Sequence, residues 1–443
     1  VKNRLFINVL LTCLTVLLTG QELLSAPLDP NSTPPADLAQ KDFWDRIGSW
    51  TREFPLEIHG FGEVRAGGRF LNDPHEKDMS IMETRMQWDF FAPLEQMSLK
   101  YKADVYGDFV TKDVHYDMRE GNITVPFEFM DVKVGRQILT WGTGDLIFIN
   151  DLFPKDWVSF FIGRDTEYLK APSDAAKVSF FHDWANLDLV FTPQFDPDRG
   201  ITGERISYYD PFSGDLAGEN AKISAGNPDR WFRDYELALR LYRNINSYEC
   251  ALYGYRGFWK SPGGFDLAGR AIYPDLNVYG SSIRGPLAQG IANLEVGYYQ
   301  SADNESGRDP LVKNSEMRYL VGYTRELARD FTGGLQYYVE QMVNYDNYVC
   351  FLPASIPARD EYRQVMTVRL TKLLMNQNLR LSFFTYYSPS DSDVYARPQI
   401  NYKINDNLAI ESGFNVFFGD YPYTFFGQFH RNSNFYAAVR YSF

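Results

Sequence analysis

The sequence predicts an all-β chain that closes into an antiparallel transmembrane barrel of about eighteen strands, with sixteen as the alternative count. Three observations predict it. From Leu56 onward, stretches of about ten residues alternate apolar and polar side chains, the period-two signature of strands with one apolar face. The connections between these stretches are by turns short and long. In the last stretch, Phe435, Ala437, Val439, Tyr441 and Phe443 share one face, and Asn434, Tyr436, Ala438, Arg440 and Ser442 share the other.

Composition agrees. Of the 443 residues, 44% are hydrophobic and 16% aromatic, with 30 Tyr and 34 Phe, yet mean hydropathy is only -0.35. Alternation explains both: only every second residue meets lipid, which dilutes the average, while two interfacial girdles consume aromatics. Beyond residue 26 no apolar run reaches the roughly eighteen residues of a membrane helix. A formal charge of -13 argues against nucleic acid as a partner. Beyond Cys13 there are Cys250 and Cys350, too few for a disulfide framework. Strand parity places Cys250 just past a short turn and Cys350 in a long loop, too far apart to bridge.

Taken in order, Lys2 and Arg4 precede an apolar run from Leu5 to Leu18, and Leu24-Ser25-Ala26 offers a small residue for cleavage before Pro27. Residues 1–26 read as a secretory signal, with Cys13 inside the apolar run and so misplaced for acylation. Residues 27–54, rich in Pro, Asp, Asn and Ala, read as a mostly irregular periplasmic leader. Residues 55–443 read as the barrel. Its expected strands are 55–69, 79–91, 97–110, 114–125, 129–139, 174–183, 186–196, 231–243, 247–259, 277–287, 291–302, 316–327, 331–344, 360–373, 378–388, 393–403, 408–419 and 433–443. If the first strand starts at the periplasm, every periplasmic connection is short, whereas 140–173, 197–230, 260–276, 303–315 and 345–359 are long external loops. That asymmetry is expected of such barrels. Leu56, Ile58, Val64 and Ala66, and then Met82, Met86, Trp88 and Phe90, should meet lipid. Glu57, His59, Glu63 and Arg65, and then Glu83, Arg85, Gln87 and Asp89, should line the lumen.

Two stretches carry a resemblance. The last strand, with Phe435, Val439, Tyr441 and Phe443 on its apolar face, resembles the recognition strand of bacterial outer-membrane barrels. This implies the cell outer membrane as location, with its lipid, lipopolysaccharide and barrel assembly machinery as partners; oligomerisation is left open. The run Val134-Gly135-Arg136-Gln137-Ile138-Leu139-Thr140-Trp141-Gly142-Thr143-Gly144-Asp145 resembles a segment of one proteobacterial barrel family of unassigned role and, more loosely, of alginate-export channels. It implies the barrel class and no particular cargo. The third external loop is similar in place to the loop that folds into the barrel of trimeric porins.

That loop, 140–173, bears Trp141, Phe148, Phe153, Trp157, Phe160, Phe161 and Tyr168 beside Asp145 and Asp151. So apolar a loop gains by folding into the barrel mouth, which would bring Asp145 and Asp151 to a constriction. Packing on the rim or on a partner is the alternative. Parity puts Arg65, Arg85, Arg363, Arg369 and Arg440 on the lumen wall. Arg136 has lipid-facing parity, and a bulge at Gly135 would turn it inward. A basic wall opposite an acidic loop would set a transverse field on passing solutes. The competing reading is that lumen acids such as Glu63, Glu83, Asp104 and Glu411 simply pair with these cations. Asp196, Asp198, Asp210, Asp215, Glu219 and Asp229 read as solvated acids, since their spacing matches no calcium loop.

The expected function is therefore a porin-like channel for passive passage of a hydrophilic solute. A barrel component or scaffold of a secretion or polysaccharide-export complex is the second reading. An embedded enzyme is the third, without a motif behind it: Gly-x-Ser-x-Gly and His-Glu-x-x-His are absent, and His59, His75, His115, His182 and His430 are scattered. No metal or cofactor is expected, and no Cys-x-x-Cys-His offers a haem site.

Overall fold

A computed structural model describes residues 55–443, apart from Leu267 and Ser355. The expected signal peptide and leader lie outside the described residues. The first nine barrel strands are β1 (Glu57–Arg69), β2 (Met79–Pro93), β3 (Ser98–Asp108), β4 (Asp113–Pro126), β5 (Met130–Gln137), β6 (Ser173–Phe180), β7 (Asn186–Thr192), β8 (Glu236–Ile245) and β9 (Tyr248–Phe258). The second nine are β10 (Asp275–Leu287), β11 (Gly290–Ser301), β12 (Glu316–Ala328), β13 (Phe331–Met342), β14 (Tyr362–Leu374), β15 (Leu379–Ser388), β16 (Asp393–Lys403), β17 (Leu408–Gly419) and β18 (Asn434–Ser442). Together they form one 18-stranded sheet. Each strand pairs antiparallel with the next, and β18 pairs with β1 from Phe61↔Ser442 to Arg69↔Asn434. Closure removes the sheet edges that would otherwise expose unpaired backbone groups.

Strand number and order are those expected from alternation; several ends are not. The chain leaves β7 at Thr192 rather than 196 and enters β8 at Glu236 rather than 231. Pro193 and Pro197 flank the first of these ends, and neither can donate to a ladder. At one end of the barrel the connections are two to five residues long. Between β8 and β9 only Asn246 and Ser247 intervene, with φ of 48° and 70°, the left-handed pair that a two-residue hairpin turn of matching twist requires. The other end carries nine connections among the described residues: L1 (70–78), L2 (109–112), L3 (138–172), L4 (193–235), L5 (259–274), L6 (302–315), L7 (343–361), L8 (389–392) and L9 (420–433).

Burial is inverted relative to a water-soluble protein. Val64, Met82, Leu237, Leu252, Leu294, Val321 and Leu335 lie exposed on the outer face, while Glu63, Arg65, Glu83, Arg85, Asp104 and Glu295 are buried inside. That is the pattern of a barrel with a lipid-facing belt and a charged interior. The apolar core sits inside the lumen, and L3 brings about a third of it. Ile149, Phe160, Phe161, Ile162 and Leu169 of L3 pack with Val278, Leu320, Tyr395, Phe417 and Tyr436 of the wall in one cluster. L3 holds a short helix, α1 (Trp157–Ile162), started by the Asp156 carboxylate accepting from the Ser159 N–H at 2.7 Å. The expectation that an aromatic L3 folds into the barrel is met. The alternative of a loop on the outer rim is not.

Candidate functional site: the lumen and the loop that crosses it

On the β1–β4 side the wall receives L3 through buried ion pairs. Arg65 lies against Glu63 (2.9 Å) and Glu411 (2.8 Å) and donates to the Gly163 carbonyl at the end of α1 (2.7 Å). Register explains the neighbours: Glu63 stands opposite Arg85 on β2 and opposite Arg440 on β18. Arg440 reaches Glu63 at 2.8 Å and Asp165 of L3 at 3.3 Å. Arg85 bonds Asp104 (2.6 Å) and Glu83 (3.1 Å), its guanidinium stacked between Tyr106 and Tyr168 of L3. Glu83 in turn holds Arg164 of L3, and Asp108 holds Arg205 of L4. Among lumen cations of β1, β2 and β18, pairing has therefore prevailed over a free basic surface.

A bulge does re-aim an arginine, though not the expected one. The β3–β4 register shifts between Lys102 and Ala103, leaving Arg119 as the extra residue of β4. Arg119 is buried, stacks on Tyr168 and donates to the Glu167 and Lys170 carbonyls of L3. At Gly135 the ladders to β4 and β6 continue without a shift. Gly135 has φ of 121°, and a side chain there would strike the Gly121 carbonyl, so its role is close strand approach rather than a bulge. Arg136 thus keeps the parity of exposed Val134, on the outer face at the L3 end of β5, and pairs there with Asp174 at 2.7 Å. The inward placement of Arg136 is corrected.

On the opposite side an arch of L3, residues 142–150, meets β11–β15. Asp145 pairs with Arg369, and its backbone exchanges two hydrogen bonds with the Gln336 amide, at 2.7 and 2.8 Å. The Tyr386 hydroxyl donates to the Leu146 carbonyl at 2.7 Å. Asp151 does not face a passage as an isolated charge. It is buried, bonded to Lys155 at 3.0 Å and to the Thr140 hydroxyl at 2.7 Å. Arg363 pairs with Asp391 of L8 at 2.7 Å. The L4 acids are not uniformly solvated either. Asp198 accepts from the Lys155 N–H, the Trp157 indole and the Ser261 hydroxyl, tying L3 to L5.

Two chambers lie on either side of this layer, and they share no lining residue. The outer one, about 860 Å³, is bounded by L3 and by L4–L9 and contains Lys155, Lys313, Arg318, Glu340, Arg359 and Arg363 beside Trp259, Tyr299 and Tyr386. The inner one, about 420 Å³, lies at the short-turn end of β1–β5 and contains Glu57, His59, Asp89, Lys100, Glu120 and Lys133. Further round the barrel, three strands before β1, the β15–β16 wall carries cations of another kind. The Arg397 guanidinium lies 3.9 Å from the Phe160 ring centroid of α1, and it forms no hydrogen bond or ion pair among the described residues. Neither does that of Arg380, nearer the short-turn end. Alternation alone puts Arg397 in the lumen; what it does not signal is which arginines lack an ion pair, because partners come from L3 and from strands distant in sequence.

No family model and no curated protein matches the sequence. Solved structures resemble its fold. OccAB4 of Acinetobacter baumannii superposes with a TM-score of 0.57 at 9% identity, covering 88% of this chain and 98% of that one. OccAB3 of the same organism gives 0.53 at 11% identity, over 88% and 99%. OccK2 (OpdF) of Pseudomonas aeruginosa, solved in complex with glucuronate, gives 0.54 at 9% identity, over 87% and 97%. At such low identity the likeness is one of fold, and over nearly nine-tenths of its length this chain shares the barrel fold of these proteins.

Proposed function

We propose that the protein is a channel of the bacterial outer membrane that passes a small hydrophilic solute passively, with preference for anions. The exposed apolar belt and the asymmetry of turns and loops support the membrane reading. The observation that carries the preference is the pair Arg397 and Arg380, lumenal cations whose guanidiniums form no ion pair among the described residues, beside a loop that narrows the lumen. On β1–β5, by contrast, Asp89 lies 2.5 Å from Lys100 and Glu120 lies 3.9 Å from Lys133, so these charges offset one another and the two arginines carry the excess. Arg363, Arg369, Arg440 and Asp145 line the route at the level of L3, whereas Arg65, Arg85 and Asp151 hold the loop. Glucuronate, bound in OccK2, is a suitable first probe, being a hydroxylated carboxylate.

Reversal potentials in a salt gradient test this. The wild type should prefer anions, and Arg397→Ala with Arg380→Ala should abolish the preference. Cation preference in the wild type, or no change in the double variant, would sink the reading. The filling of the mid-lumen by L3 is the one observation that favours a sealed scaffold instead, and a wild-type barrel without conductance at any voltage would decide for it.

A further inference from the structure

The backbone of residues 142–144, just before Asp145, has no part in the passage described so far. It makes a carboxylate cradle. Glu295, in the middle of β11 and 1% exposed, accepts from the Thr143 and Gly144 N–H groups, the latter at 2.8 Å. It also accepts from the Asn150 N–H at 3.3 Å and the Asn150 side-chain amide at 2.9 Å. No Lys, Arg or His pairs with it among the described residues. A buried carboxylate that gives up water needs such a ring of donors. The glycines make the ring fit. Gly142 has φ of 79°, and a Cβ there would sit 3.2 Å from the Glu295 carboxylate. On the wall, Gly280 and Gly297 leave room for Asn150 and Ile149.

From these contacts we infer that Glu295 is the positioning residue of the channel: its carboxylate latches the 142–150 arch of L3 across the lumen and keeps the passage narrow. The inference rests on the channel reading for its consequence, though not for the latch itself. The Asn293 amide donates to the Thr143 carbonyl (3.2 Å) and hydroxyl (3.1 Å) beside the carboxylate, so the arch is held at one place on β11. Its other charged attachment, Asp145 to Arg369, is half-exposed and weaker, and the remaining ties, from Gln336, Tyr386 and Tyr299, are hydrogen bonds between neutral groups. Removing Glu295 orphans three backbone N–H groups at once and takes one of two acceptors from the Asn150 amide, whereas removing Asp145 frees one guanidinium that water can reach.

The test uses the full-length protein in planar bilayers and in detergent, as wild type, Glu295→Ala and Glu295→Gln, with and without formate. Losing even one hydrogen bond to the charged group should raise the ratio of open to latched L3 by about tenfold or more. Glu295→Ala should therefore conduct more and be cut faster by trypsin at Lys155 and Arg164, which L3 otherwise buries. Formate should occupy the vacated cradle and reverse both effects, and formamide, its neutral counterpart, should not. Unchanged cleavage in Glu295→Ala, or faster cleavage that formate does not reverse, overturns the latch. Formate-reversible cleavage in a barrel that never conducts keeps the latch and refutes the channel. If Glu295→Ala does not assemble, Thr143→Cys with Asn293→Cys, in a background of Cys250→Ala and Cys350→Ala, decides the matter. The oxidised form should protect L3 from trypsin by about tenfold relative to the reduced form, and equal cleavage of the two overturns the proposal.

Discussion

At the scale of single residues, the lumen is governed by which charges find partners. Asp196 in L4 is the clearest titrating case outside the strands. Burial pushes its carboxyl up to about 6, with Glu236 and Asp174 adding to the rise and Lys260 opposing it. An acid raised in the folded state binds its proton more tightly there than in the unfolded chain. Its contribution to stability is therefore complete below the ordinary carboxylate pKa and is lost as pH climbs through about 6. The swing is at most about 3 kcal/mol for a shift of this size. Unfolding midpoints measured from pH 4 to pH 7 should fall more steeply in the wild type than in Asp196→Asn, and parallel slopes would show that Asp196 is not the group responsible.

At the scale of elements, L3 behaves as an internal layer rather than a loop. It trades the exposure of Phe160, Phe161 and Ile162 for burial against Tyr395, Phe417 and Tyr436, and it anchors the edges of that layer with ion pairs. Glu83 is the densest of those anchors, because it bonds Arg85 of the wall and Arg164 of L3 and lies 3.8 Å from Arg205 of L4. Breaking a buried pair from one side is expensive since the remaining charges stay desolvated, by about 3–5 kcal/mol. Glu83→Ala should thus leave the barrel assembled but loosen L3 and L4, seen as faster hydrogen exchange of residues 159–169 and 203–207. Exchange as slow as in the wild type would mean that apolar packing alone seats the layer. The sequence made the docking of L3 legible, since so many aromatics in one loop need cover. It also made parity legible, and Glu83, Arg85 and Glu63 lie where alternation puts them. Pair partners were not legible. Arg164 and Arg205 sit in loops without periodicity, Arg119 depends on a bulge that no glycine or proline marks, and Glu295 looks like any other lumenal acid until the fold of residues 142–150 is known. Gly135 misled because a strand glycine marks either a bulge or a close approach, and only the ladder tells which.

At the scale of the whole molecule, the two free cysteines report its orientation. Cys250 lies just beyond the Asn246-Ser247 turn, with the outward parity of exposed Leu252. In the proposed outer-membrane setting it sits at the periplasmic end, facing lipid, where a thiol behaves as a small hydrophobe. Cys350 belongs to the short helix Tyr345–Phe351 of L7 at the opposite end, and it is exposed. A barrel inserted with its short turns inward must therefore offer one thiol to the outside and hide the other. In intact cells a membrane-impermeant maleimide should label the wild type once, and Cys350→Ser should remove the label while Cys250→Ser leaves it. After denaturation without reductant both sites should react, as expected for thiols about a bilayer's apolar thickness apart, roughly 25–30 Å, when a disulfide requires Cα atoms within about 7 Å. Labelling of Cys250 from outside the cell would reverse the barrel in the membrane. It would also put L3, the latch at Glu295 and the unpaired arginines in the opposite order along the path of a solute.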